Sequence, residues 1–301
     1  MKYREIGGIK VSRLALGAMR IADKPLANIE RLVNTALEIG INTFDHADVY
    51  GGGACERMFG ALFKNSPSLR NKTVLQTKCG LRGEMRELSY DSIINAVNGS
   101  LSRLCTDRID ILILHCFDEL AHPQEIARAF DELEKSGKVR AFGVCDHSAR
   151  QIEYLQRYIN QKLCVNQMPI GLTHARALRS DRSPEADTFT FCRDRMIAVQ
   201  TYGTMQCSFT DETGYFYSGA FTTQTAQKKY FSLLALLDGM AQKYGVTRES
   251  AAVAWILKHP SDMQAIVGTT LDTRLAAYKD CCDVPMTNYE WYKIAELSSN
   301  N

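Results

Sequence analysis

The 301-residue chain carries almost no net charge: 36 Lys and Arg against 34 Asp and Glu leave +2. That balance offers no basic stripe for nucleic acid and no polybasic patch for anionic lipid. No run of about 18 apolar residues occurs, so no membrane-spanning helix is expected. The opening MKYREIGGIKVSRL lacks the apolar core of a secretory signal, and a cytoplasmic location is expected. With 45% hydrophobic and 23% charged residues, the chain fits neither a disordered, a collagen-like nor a coiled-coil class. No C-x-x-C and no paired histidine spacing occurs among the ten cysteines, so no metal site is expected. Several of them (Cys79, Cys116, Cys145, Cys164) lie in or at the end of apolar runs, where a reduced thiol acts as a small hydrophobe.

What recurs is a short apolar run followed by an amphipathic stretch. The runs are LALGAM (14–19), INTFDHA (41–47), TVLQTK (73–78), IDILILH (109–115), VRAFGVCD (139–146), LCVNQ (163–167), IAVQTY (197–202) and QAIVGTT (264–270). Such short runs, rich in β-branched residues, read as strands buried on both faces. Between them, ANIERLVNTALEIG places Ile29, Leu32, Val33 and Leu37 on one stripe and stops at Gly40. YDSIINAVNGSLSRL follows the same pattern, with Asp91 as its expected N-cap. PQEIARAFDELEKSGK stops at Gly137 and YFSLLALLDGMAQKYG at Gly245, while TRESAAVAWILKHP opens on a Thr247 cap and stops at Pro260. Eight strands alternating with helices predict an α/β fold, a (β/α)8 TIM barrel, over residues 1–301 as one domain. An open doubly wound sheet is the alternative, but no G-x-G-x-x-G follows the first strand, and Gly51-Gly52-Gly53 reads as a plain turn.

In a barrel all strand C-terminal ends face one mouth, where chemistry collects. The runs end on Asp45, Lys78, His115, Asp146, Gln167 and Tyr202, and Tyr50 follows Asp45 by five residues. Each alone reads as a solvated or internally satisfied side chain. Six polar or aromatic strand ends at one mouth require mutual pairing.

These residues carry a resemblance. GINTFDHADVYGGGACERMFGAL resembles the aldo-keto reductase signature, and VLQTKCG, RIDILILH, GKVRAFGVCDHS, VNQMP and IVGTTLDTR follow in that family's order. The closing HPSDMQAIVGTT and EWYKI are similar to a bacterial subgroup of general oxidoreductases. The resemblance implies a catalytic set of Asp45, Tyr50, Lys78 and His115. In that set Tyr50 gives a proton, an ammonium at Lys78 favours its phenolate, Asp45 holds Lys78, and His115 orients the substrate oxygen. It also implies NADPH or NADP+ as cofactor, with NADH less favoured. Gln167, Cys145 and Asp146 would meet its carboxamide, and Tyr202 its ring. Gly268, Thr269 and Thr270 would meet its adenosine end, and Arg274 its 2′-phosphate. Gly17, Ala18, Met19 and Gly203 complete the cofactor set. Phe117, Phe209, Tyr215 and Phe216 would wall a small carbonyl substrate.

Departures from the family pattern stand out. The family usually has Ser-Asn where this chain has Cys145–Asp146, a basic residue where this chain has Gly268, and Ser-Pro-Leu where this chain has Gly203-Thr204-Met205. Asp146 has two readings: a carboxamide contact, or a cap for the helix that begins near Ser148. The function expected is hydride-transfer reduction of an aldehyde or ketone; the alternative is a cofactor-binding redox sensor of the same fold with little turnover.

Overall fold

The structure is a computed structural model that describes residues 1–178, 183–205 and 230–299. Two antiparallel strands open the chain, β1 (Tyr3–Ile6) and β2 (Ile9–Ser12). Eight parallel strands then close into a barrel: β3 (Leu14–Gly17), β4 (Thr43–Asp45), β5 (Val74–Cys79), β8 (Ile109–Leu114), β9 (Val139–Cys145), β10 (Leu163–Pro169), β11 (Ala198–Tyr202) and β12 (Gln264–Val267). β12 pairs with β3, so the sheet has no edge. A two-residue pair of strands, β6 (Leu81–Arg82) and β7 (Met85–Arg86), projects after β5. Each of the eight expected runs holds one of these strands: β3, β4, β8, β9 and β12 stop short of the run at the mouth, β11 ends where the run does, and β5 and β10 continue past it to Cys79 and Pro169.

Helices lie between the strands: α1 (Leu26–Glu38), α2 (Ala54–Asn65), α3 (Tyr90–Arg103), α4 (Pro123–Lys135), α5 (Ala149–Gln156), α6 (Pro184–Asp194), α7 (Phe231–Tyr244), α8 (Arg248–Lys258), α9 (Asp272–Ala276) and α10 (Asn288–Ser299). The caps follow local chemistry. Thr247 accepts from the Ser250 amide at the start of α8, as its sequence implies. At α3 the cap is Ser89, which accepts from the Ser92 amide, and the expected Asp91 sits inside the first turn instead. Gly51-Gly52-Gly53 is more than a turn. Its residues form a 3₁₀ segment with Tyr50, all three at positive φ, and Gly53 is the N-cap of α2. Only glycine takes that backbone without strain, so Tyr50 is delivered to the mouth by a glycine hinge.

Two apolar cores result among the described residues. The larger packs α1–α4 and their neighbours on the outside of the sheet, around Phe44, Phe59, Phe130 and Phe142. The smaller lies inside the barrel: Ile6, Ile9 and Val11 of the hairpin plug its floor beneath Val74, Ile111, Ile113 and Val165. Gly143 belongs to this narrow interior, since a Cβ there would stand 2.2 Å from Val165 Cγ1.

Candidate active site

Above that floor the interior turns polar. Gln76, Gln167, Gln200 and Gln264 are all at most 1% exposed. Strand register makes Gln167, Gln200 and Gln264 direct neighbours and sets Gln76 beside Asp45. Gln200 Nε2 donates across the barrel to Gln76 Oε1 (2.8 Å) and sideways to Gln264 Oε1 (2.6 Å). Gln264 Nε2 donates to the Ser12 carbonyl, and Gln76 Nε2 donates to Asp45 Oδ1. A carbonyl and an ionised carboxylate only accept, so these two ends fix the direction of every amide in the chain. Gln167 Nε2 then donates to both Asp45 Oδ1 (2.8 Å) and Gln200 Oε1 (3.0 Å). Both its amide hydrogens are engaged, and it offers other partners only an acceptor.

Asp45 receives this network from below and Lys78 from above. Lys78 Nζ lies 2.8 and 2.7 Å from the two Asp45 oxygens and 2.9 Å from the His46 carbonyl. The pair is almost completely buried, at 2% and 5% side-chain exposure. Burial works against the ammonium, but Asp45 and the Tyr50 phenol outweigh it and hold the Lys78 pKa above the ordinary lysine value. Tyr50 Oη stands 3.2 Å from Lys78 Nζ. Burial raises the Tyr50 pKa and Lys78 pulls it down; the balance leaves it above ordinary tyrosine. The ammonium thus favours the phenolate as its sequence position implies, and desolvation outweighs it. His115 meets the Tyr50 ring edge-on at 6.1 Å between centroids. Burial, reinforced by Lys78, lowers its pKa to about 4, so the ring is neutral at pH 7. Its Nδ1 is buried without a hydrogen-bond partner among the described residues.

A cavity of about 460 Å³ opens over this group. All six strand-end residues line it, and so do Tyr50, Gly17, Met19, Cys145, Gly203, Gly268, Thr269, Thr270 and Arg274. Thr204 and Met205, which depart from the family pattern, line it too, and so do Arg20 and Ile266, which no sequence signal marks. Two expected residues do not line it. Ala18 turns into the outer core, its amide donating to the Asp45 carbonyl. Phe117 packs on the His147 ring at 5.5 Å and lines a separate depression with Leu88 and Ile126, because the chain turns away after His115. Phe209, Tyr215 and Phe216 lie outside the described residues. Asp146 does not cap α5. Ser148 does, in a reciprocal box with Gln151. Instead Asp146, at φ +54°, is exposed at the cavity and accepts from Tyr202 Oη at 2.9 Å. Desolvation by the cavity wall raises its pKa, against the bonds from Tyr202 and Cys145.

Residues 13–299 match the model of the Aldo/keto reductase family. The chain belongs to that family. It is thus an oxidoreductase of a family that uses nicotinamide cofactors. It is 32% identical to a 6-dehydroglucose reductase of Novosphingobium aromaticivorans, over 97% of this chain and 94% of that one. It is 30% identical to an NADH-specific methylglyoxal reductase of Escherichia coli, over 87% of each. Among solved structures it resembles a glycerol dehydrogenase of Gluconobacter oxydans: TM-score 0.79, 25% identity, 98% of this chain and 94% of that one. No helix among the described residues is long and apolar enough to cross a membrane.

Proposed function

We propose that this aldo/keto reductase reduces an aldehyde or ketone to an alcohol, with Tyr50 giving the proton and NADPH as the preferred cofactor. The observation that carries the reading is the Tyr50 Oη to Lys78 Nζ approach of 3.2 Å, with Lys78 buried on Asp45. Tyr50 stays protonated at neutral pH, so it holds a proton to give. As negative charge gathers on the substrate oxygen, the phenol donates, and the phenolate left behind is the form that the ammonium stabilises. Neutral His115 faces the same ring and orients the substrate oxygen. Asp45 keeps Lys78 charged and in place, and the glutamines below keep Asp45 in place. None of these side chains acts as a covalent nucleophile.

The cavity fits a nicotinamide cofactor in its donor set. Gln167, both amide hydrogens engaged, and the Asp146 carboxylate are acceptors suited to a carboxamide NH2. Tyr202 flanks the ring position, and Gly268 leaves open space where a Cβ would stand. Arg274 at the far end supports a 2′-phosphate, hence NADPH over NADH. When bound, the reduced nicotinamide supplies the hydride. Two relatives, the 6-dehydroglucose and the methylglyoxal enzyme, are named as reductases, which favours the reducing direction. The test is a single-turnover measurement of bound NADPH and NADH absorbance against a panel of aldehydes and ketones. Oxidation that depends on Tyr50 supports the reading. Tight cofactor binding with no oxidation by any carbonyl would favour a sensor of the same fold.

A further inference from the structure

The wall that lines the nicotinamide end has a chemistry set by its own hydrogen bonds. Gln167 presents only an acceptor there, because Asp45 and Gln200 take both its amide hydrogens. Asp146 beside it is a carboxylate, and among the described residues Tyr202 Oη is the proton donor aimed at it from another strand. Asp45 and Lys78 lie deeper and form a neutral pair. His115 is neutral at pH 7. Asp146 is therefore the uncompensated charge at this end of the cavity among the described residues; Arg20 and Arg274 line it elsewhere. Its position is held: Tyr202 Oη fixes the carboxylate, its backbone amide donates to the Gln167 carbonyl at 2.9 Å, and a left-handed φ aims the side chain out of the strand line.

The geometry points to Asp146 as a selector of cofactor redox state, which binds the oxidised, cationic nicotinamide more tightly than the reduced, neutral one. This rests on the proposed cofactor site. The two forms differ by one unit of ring charge, and a carboxylate in the wall interacts with that difference directly. Asp146 is exposed and keeps some water, which screens the attraction. A threefold to tenfold preference is expected. Tighter binding of the oxidised form makes the bound couple a stronger reductant, by about 30 mV for a tenfold ratio in a two-electron couple. Hydride delivery to a carbonyl is favoured on the protein, and release of the oxidised cofactor is slowed by the same factor.

Asp146→Asn tests this cleanly. Asn tolerates a positive φ at least as well as Asp, and its amide oxygen can still accept from Tyr202, so shape is kept and charge removed. Dissociation constants for NADP+, NADPH, NAD+ and NADH are measured on both proteins, the reduced forms by fluorescence and the oxidised by calorimetry. Removing the carboxylate is expected to raise the ratio of oxidised to reduced dissociation constants threefold to tenfold, with an unchanged melting temperature. A ratio unchanged within twofold, with both forms still bound, overturns the selector and leaves the proposed function standing. Failure of the wild-type protein to bind any of the four overturns both.

Discussion

Gln200→Leu is the substitution that most directly tests whether the glutamine layer holds the site. Leucine keeps most of the volume but removes two donors and one acceptor. Three buried atoms lose a partner: Gln76 Oε1, Gln264 Oε1 and one hydrogen on Gln167 Nε2. A buried polar group left unsatisfied costs about 1–3 kcal/mol. The three share one relaxing network, so their costs do not simply add. A loss of about 3–5 kcal/mol is expected. With a urea slope of roughly 3 kcal/mol/M, the unfolding midpoint should fall by about 1–1.7 M. Turnover should fall as well, because Gln76 and Gln167, the two amides that donate to Asp45, both lose their link to Gln200. Equilibrium urea unfolding followed by tryptophan fluorescence reads the stability, and steady-state reduction of a carbonyl reads the function. A midpoint within about 0.3 M of wild type would mean that water or neighbouring rotamers replace the lost partners, and the argument for a preorganised layer would fail.

Tyr50→Phe should lower carbonyl reduction by about two to four orders of magnitude and leave cofactor dissociation constants unchanged, because only the proton donor is removed; near wild-type turnover would take Tyr50 out of the mechanism. Lys78→Met strands the buried Asp45 carboxylate and should cost about 3–5 kcal/mol, at the lower end because Gln76 and Gln167 still donate to it; a stable variant in denaturant titration would show that Asp45 protonates at little cost. Arg274→Ala should weaken NADPH by about 1.5–3 kcal/mol and NADH hardly at all, and equal losses in the two titrations would place Arg274 elsewhere. Burial depresses His46 and His147 to about 4. Unfolded histidine titrates near 6.5, so between those values the unfolded chain binds protons that the folded chain does not. Stability from these two is complete above about pH 6.5 and lost as pH falls toward 4, by up to about 3 kcal/mol each. Urea midpoints that stay flat from pH 7 to 4.5 would contradict that burial.

The barrel was legible because each strand is a short apolar run bounded by a turn, and burial on both faces leaves no alternation to misread. β5 and β8 show this at its plainest, with every residue buried. The N-terminal hairpin is hidden in the sequence because Tyr3–Ser12 mixes charges into a strand pattern whose apolar face meets only the barrel floor. The helices α2, α6, α9 and α10 carry no comparably clear signal, and α5 shows only its start near Ser148. α5 and α6 are short and weakly apolar, and α2 follows a glycine run that reads as a turn until its positive φ values are seen.

At the site, strand ends were the readable signal, since the fold sends every strand's C-terminal residue to one mouth. Residues past a strand end follow no such rule, and there the reading divided: Tyr50 returns over the cavity, whereas Phe117 leaves it. The glutamine layer has a signal of its own in the sequence. Gln76 precedes Lys78 by two residues and Gln200 precedes Tyr202 by two, and strand residues two apart share a face. If the strand-end side chains point into the barrel, those glutamines must too, and amides enclosed together have only one another to bond. Asp146 shows the opposite limit. Its sequence neighbours allow a helix cap or a cavity contact equally, and the decision rests on Ser148 and Gln151 satisfying the α5 terminus without it. A side chain freed from capping and tied instead to Tyr202 is one whose charge faces the cavity, so the substitution that tests redox selectivity should leave helix stability untouched.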